Sequence, residues 1–207
     1  MKKIILLLFI TALMLSCRSK EDKALALIDK DMFRTLFDYS SYEPIETKVD
    51  SAFTSIYRDP LIKEQAVRAI ALFELHEEIM DKVNEAFRYA KIYEGNYYLR
   101  SEFNKYIAEA NSELENARVN LEKLKMVNNS IVSLVKDFVP IFIGWEVRHR
   151  FRCKNRGGNF LIGDYLYIID EKFKEIIYRE NLDDEDIQKI RECIDDAIEN
   201  EEENDDW

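Results

Sequence analysis

The residues of this chain that could do chemistry are few. It holds two histidines, His76 and His149, too few for a His-rich metal centre. His76 falls in a helical apolar seam, where a core or interfacial role is the ordinary one. His149 lies in an alternating segment with Arg148, Arg150 and Arg152. If Gly157-Gly158 form a two-residue hairpin turn, Arg152 stands opposite Gly163, Arg150 opposite Tyr165 and Arg148 opposite Tyr167. That register gathers guanidinium groups beside tyrosine rings on one face, a candidate binding site for a glycan acid, a lipid headgroup or an acidic partner segment. Ordinary cross-strand pairing with cation–π contact is the alternative.

The same register puts Asp164 opposite Phe151 and diagonal to His149 on the inner face. A His–Asp pair with no nucleophile or metal beside it reads as structural rather than catalytic. The sequence carries no phosphate-binding Walker loop, dinucleotide fingerprint, Gly-x-Ser-x-Gly elbow or His-Glu-x-x-His. Its carboxylates lie mostly on solvated faces or in the tail, so none is singled out as a glycosidase pair. A protein that is not an enzyme is expected, with no catalytic residue, no metal and no cofactor.

The third chemical element is cysteine. Lys2 and Lys3 precede an apolar run from Ile4 to Leu15, broken only by Thr11, and Ser16-Cys17 follows. This is the layout of a signal peptide over residues 1–16, and the run is too short to span a bilayer. Met14-Leu15-Ser16-Cys17 resembles the bacterial lipobox, whose cysteine is lipidated and becomes the first mature residue. Acyl chains on Cys17 would hold the protein to a membrane, at about 0.8 kcal/mol per buried methylene. Export permits a disulfide between Cys153 and Cys193, although two buried thiols are the simpler reading.

The elements that position these residues follow from periodicity. Ala24, Leu25, Leu27, Ile28, Met32, Leu36 and Phe37 indicate an amphipathic helix over residues 22–37, ended by Ser40-Ser41. After Pro44 the period becomes two, through Ile45, Thr47, Val49, Ser51 and Phe53, which predicts a strand. A long helix from about Leu61 to Tyr93 carries one seam through Ala69, Leu72, His76, Ile79, Val83, Ala86 and Ala90. A neighbouring stripe includes Ile70, Phe73, Met80 and Phe87. Gly95 suits the helix end. The next seam, Ile107, Ala110, Leu114, Ala117, Leu121, Leu124, Asn128, Ile131, Val135 and Phe138, predicts a helix over 101–138, about 57 Å long. The two helices form an antiparallel hairpin with coiled-coil character. The surplus stripe of Ile70, Phe73, Met80 and Phe87 packs on the same chain or forms a partner or self-association interface.

Beyond Pro140 the alternation from Ile141 to Lys154, the turn around Gly157-Gly158 and the apolar run from Phe160 to Ile169 predict a meander, with a third strand over 173–178. A last helix starts near Asp183, and residues 201–207 read as a disordered acidic tail. From Asp183 onward thirteen Asp or Glu stand against Lys189 and Arg191, so this segment carries the whole formal charge of −11. Without a net basic surface, nucleic-acid binding is disfavoured. Five glycines and three prolines are too few for a turn-rich sandwich or propeller.

Two blocks bear a family likeness. Ser41-Tyr42-Glu43-Pro44-Ile45-Glu46 with Thr47-Lys48-Val49-Asp50-Ser51-Ala52-Phe53 is one. Gly144-Trp145-Glu146-Val147 with His149, Arg152, Lys154-Asn155 and Gly158 is the other. They resemble small envelope lipoproteins of Bacteroidota of unknown function, and Arg18-Ser19-Lys20-Glu21-Asp22 resembles the charged tag that sends such proteins to the outer face of the outer membrane. The resemblance implies one compact α+β unit and no catalytic residue or ligand.

The expected protein is therefore a lipid-anchored α+β protein of the bacterial outer membrane, facing the periplasm or the cell surface. Residues 17–59 and 140–200 form one discontinuous unit, and a helical hairpin, 60–139, is inserted between them. The expected role is binding or scaffolding of an envelope protein partner, with a tethered inhibitor or immunity protein as the alternative and an enzyme of unrecognised type less favoured.

Overall fold

The computed structural model describes residues 19–205; the expected signal peptide, Cys17 and Trp207 lie outside them. The fold is α+β, a four-stranded antiparallel meander with flanking helices and a long helical hairpin. The chain divides into two compact units, one from residues up to Thr54 with Pro140–Glu185, the other from Ser55–Val139 with Asp186–Trp207.

The sheet unit begins with α1 (Lys20–Thr35). Ser19 Oγ accepts the Asp22 N–H, and the Asp22 carboxylate accepts the Ser19 N–H, a capping box that satisfies two otherwise orphaned donors. Ala24, Ile28 and Met32, at steps of four, are fully buried and pack with Val147, Phe151, Tyr167 and Ile169 of the sheet. The strands β1 (Asp38–Phe53), β2 (Phe142–Lys154), β3 (Phe160–Ile169) and β4 (Ile176–Asn181) pair in that order. A second cluster, Ala52, Leu166 and Ile168 with Ile143, Tyr178 and Leu182, gathers separately from the α1 cluster.

Three local expectations are corrected. Ser40-Ser41 do not end a helix; they lie in β1, which starts at Asp38 and runs through Pro44. Pro44 is tolerated because β1 is an edge strand and the register shifts between Pro44 and Glu46. The third meander strand is Ile176–Asn181 rather than 173–178, because Asp170 closes a turn first. Its Oδ1 accepts the N–H groups of Lys174 and Glu175 and its Oδ2 that of Lys172, and Phe173 takes a left-handed φ of 54°.

The third correction is the β2–β3 turn. Asn155 N–H donates to the Asn159 carbonyl and Gly158 N–H to the Asn155 carbonyl, so three residues, Arg156, Gly157 and Gly158, form the loop. Gly158 has φ 79°, as the last position of such a loop requires. One extra loop residue moves every pairing by one. Arg148, Arg150 and Arg152 stand opposite Leu166, Asp164 and Ile162, while His149 and Phe151 stand opposite Tyr165 and Gly163.

In the helical unit, Asp59 Oδ1 caps α2 (Pro60–Tyr93) by accepting the N–H groups of Leu61 and Ile62, and Pro60 at the first position loses no hydrogen bond. Glu94-Gly95-Asn96, with Gly95 at φ 78°, turns the chain into α3 (Arg100–Lys136). Ala66, Ala69, Ala86 and Ala90 of α2 and Ala110 and Ala117 of α3 are buried, which permits close approach of the backbones. The seam drifts from its expected line: Asn120 is buried and donates through Nδ2 to the Leu72 carbonyl at 3.2 Å, while Leu121 is 52% exposed. A straight helix rotates by about 20° per heptad against a 3.5-residue repeat, which brings position 120 inward.

The last helix, α4 (Glu185–Asp205), was expected with the sheet and belongs to the helical unit. Ile194 and Ala197 bury against Ile62, Ala66, Ala69, Val127 and Ile131, and Tyr57 Oη donates to Asp195 Oδ1 at 2.7 Å. Its helical backbone also continues to Asp205, past the point where a disordered tail was expected.

Gly144 tests the sheet. It has φ 140°, and a Cβ there would stand 2.1 Å from the Ile169 carbonyl oxygen, a backbone atom. Gly144→Ala is expected to destabilise the sheet unit by about 2 to 4 kcal/mol, measured as a lowered urea midpoint of the Trp145 emission in a Trp207→Phe background.

Candidate functional site

The predicted arginine–tyrosine face is not assembled. Tyr165 and Tyr167 lie on the α1 side of the sheet with His149 and Phe151, and the arginines lie on the other. On that other side Arg148 holds Asp164 in a bidentate pair, with Nη2 2.6 Å from Oδ2 and Nε 3.1 Å from Oδ1. Hydrogen bonding to Asp164 raises the Arg148 pKa. Arg152 pairs with Glu43 and lies over the Phe160 ring, and Arg150 sits between Glu46 and Asp164 in the register. The row is matched by carboxylates, so it no longer supports an anion site.

Asp164 is likewise not on the inner face beside His149. The His149 ring is fully buried and bonded at both nitrogens, Nε2 to Tyr42 Oη at 2.8 Å and Nδ1 to Thr47 Oγ1 at 2.9 Å. Burial lowers its pKa from 6.5 to about 4 and raises that of Tyr42. Nearby, Asp31 accepts from Tyr167 Oη at 3.2 Å and Arg179 Nη1 at 2.9 Å. His149 is enclosed in the α1–sheet layer, while the Asp31–Arg179 pair lies at its partly exposed margin. These groups form two separate sets, Tyr42–His149–Thr47 and Tyr167–Asp31–Arg179, and sequence reasoning missed their members Tyr42, Thr47, Asp31 and Arg179.

The helical unit offers an open surface instead. Ala69, Ile70, Phe73 and Glu77 of α2, Leu124 and Asn128 of α3, and Cys193, Asp196 and Ala197 of α4 border a groove of about 480 Å³. Its floor is apolar, and Phe73 is 53% exposed. Glu74, Glu77, Glu192 and Asp196 stand around it against a single cation, Lys189. Of the surplus stripe on α2, the structure brings Ile70 and Phe73 into this groove. Met80 and Phe87 lie further along the helix and do not line it. The contribution of α4 was not foreseen, although Ile187, Ile190, Ile194, Ala197 and Ile198 fall on one face of that helix and mark it as needing a partner.

Both cysteines of the described residues are free thiols. Cys193 Sγ is 3.7 Å from the Ala66 carbonyl oxygen, and burial raises both thiol pKa values, which suppresses the reactive thiolate. At the hairpin tip, Tyr97 and Tyr98 are 81% and 90% exposed, while Tyr106 stacks with Tyr89 and Tyr93 behind them. Among the described residues, no helix is long and apolar enough to cross a membrane, and no cluster of three or more His, Cys, Asp or Glu could hold a metal ion. No family model, curated protein or solved structure matches the chain.

The buried histidine has a pH signature. Its folded pKa lies below the unfolded value, so its neutral form contributes stability above pH 6.5, and that contribution is lost as pH falls from 6.5 to about 4. The loss is expected to reach about 3 kcal/mol. Urea denaturation at pH 7 and pH 4 checks it, as the excess acid sensitivity of the wild type over His149→Gln.

Proposed function

We propose that the chain is a lipid-anchored, non-catalytic protein of the bacterial cell envelope that binds a protein partner through its helical unit. The observation that carries the reading is the groove at Ile70 and Phe73. An apolar floor with four carboxylates and one lysine around it fits a basic amphipathic helix, whose apolar face would fill the groove while its Lys and Arg side chains reach the carboxylates. Supporting the envelope location are the Lys2-Lys3 and Ile4–Leu15 leader and the Met14-Leu15-Ser16-Cys17 sequence, together with the resemblance to Bacteroidota lipoproteins. Lipidation at Cys17 supplies the membrane attachment. The arginine row of the sheet unit is taken up by Asp164 and Glu43, which favours the groove over that row as the protein-binding surface.

Two measurements test this reading. Palmitate is expected to label the wild type, and Cys17→Ala is expected to release the protein from the membrane fraction; an unlabelled or still membrane-bound protein removes the anchor. With a photoreactive phenylalanine at position 73, intact cells are expected to yield a discrete cross-linked adduct. Reversing the charges with Glu74→Lys and Glu192→Lys should reduce it by roughly tenfold. An adduct indifferent to those reversals refutes the basic partner.

A further inference from the structure

The sheet unit carries an aromatic and lysine patch at the end where the described chain begins. Lys20 Nζ lies 3.5 Å from the centroid of the Trp145 ring, and Lys23 Nζ 5.8 Å from that of Phe173. Trp145 and Phe173 stack at 5.7 Å with their planes 14° apart. From Trp145 the rings continue to Phe142 at 6.0 Å and from there to Phe53 at 5.8 Å. Phe53 and Ile141 are 48% and 64% exposed. Phe173 holds its ring in place from a left-handed backbone conformation that side chains other than glycine rarely adopt, and the Trp145 indole N–H is bonded to the Glu171 carbonyl at 3.1 Å.

We infer that this patch rests on the bilayer interface, with Trp145, Phe173 and Phe142 at headgroup depth and Lys20 and Lys23 reaching the phosphates. The inference deepens the proposed lipid anchor and rests on it. What decides the occupant is the path of the chain. Cys17 precedes Lys20 by three residues, and three residues span at most about 11 Å. A bilayer that holds acyl chains on Cys17 therefore lies within reach of the Trp145 ring, with no linker to lift the unit away. Tryptophan, tyrosine and lysine are the side chains that favour such a boundary, with a ring or aliphatic stem in the apolar layer and a polar end in water.

Around the patch Glu21, Asp22, Asp170, Glu171 and Glu175 stand beside exposed Lys20, Lys23, Lys172 and Lys174, a near balance of charge. Asp22 and Asp170 direct carboxylate oxygens to backbone N–H groups, and Lys20 and Lys23 extend over the rings.

Trp145 reports its own position. The sequence has two tryptophans, so Trp207→Phe in the full chain leaves Trp145 as the sole emitter. The membrane-extracted protein is reconstituted into vesicles of phosphatidylethanolamine and phosphatidylglycerol, with and without lipids brominated near the headgroup end of their chains. The expected result is a blue-shifted Trp145 emission of which bromine quenches about half or more, and a severalfold weaker quenching in Lys20→Glu with Lys23→Glu. Protein that floats with the vesicles while Trp145 ignores bromine and remains open to aqueous iodide overturns the patch and leaves the anchor standing. Quenching by a protein whose Cys17 proves unacylated by mass keeps the patch and removes the anchor. Failure to float with the vesicles at all overturns both.

Discussion

Which side chains share a face of the sheet is fixed by three residues, Arg156, Gly157 and Gly158. Because their loop is closed by Asn155 and Asn159, even-numbered residues of β2 meet even-numbered residues of β3. The arginines are thereby brought to Asp164 and the tyrosines to His149 and Phe151. A side chain in a strand has only two faces to choose between, so a change of one residue in the turn exchanges the neighbours of every residue beyond it. The interior of the sheet unit, with its doubly bonded His149, follows from that parity.

The helical unit rests on a different economy. Small residues let α2 and α3 approach, and α4 covers part of the wide apolar arc that the pair leaves over. The cover is incomplete between Phe73 and Asp196, and there the acidity of the chain's last segment borders apolar surface. In the sequence that acidity reads as solvation. Beside Ile70 and Phe73 it becomes an acidic border to an apolar groove.

Periodicity made much of this legible. Steps of three and four from Ala69 to Ala90 and from Ile107 to Phe138, and steps of two from Ile141 to Cys153, specify a hairpin of helices and a meander. The same residues say that a face is buried without saying against what. Ile194 and Ala197 mark a buried stripe equally well whether they meet strands or Ala66, so α4 was assigned to the wrong unit. Tyr42 and Thr47 lie 107 and 102 residues from His149, and no local pattern links them. Half of the groove was legible as surplus apolar surface on α2; its other half depended on where α4 docks. Pro44 hid the first part of β1, because a proline in a strand is acceptable only at an edge, which is a property of the finished sheet.

The docking of α4 also bears on the order of assembly expected from chain entropy. Cys193 and the Ala66 carbonyl it approaches are 127 residues apart along the chain, and the whole of β2, β3 and β4 lies between α3 and α4. Closing that interval while it is a flexible coil costs loop entropy before any contact is gained. Once residues 140–185 have condensed onto α1 and β1, the interval is a folded body and most of that entropy has already been spent. The α2–α3 hairpin, whose contacts are near in sequence, is therefore expected first; it brings β1 beside β2, whose pairing (Phe53 with Phe142) spans that hairpin, and the three-helix groove is expected to close last.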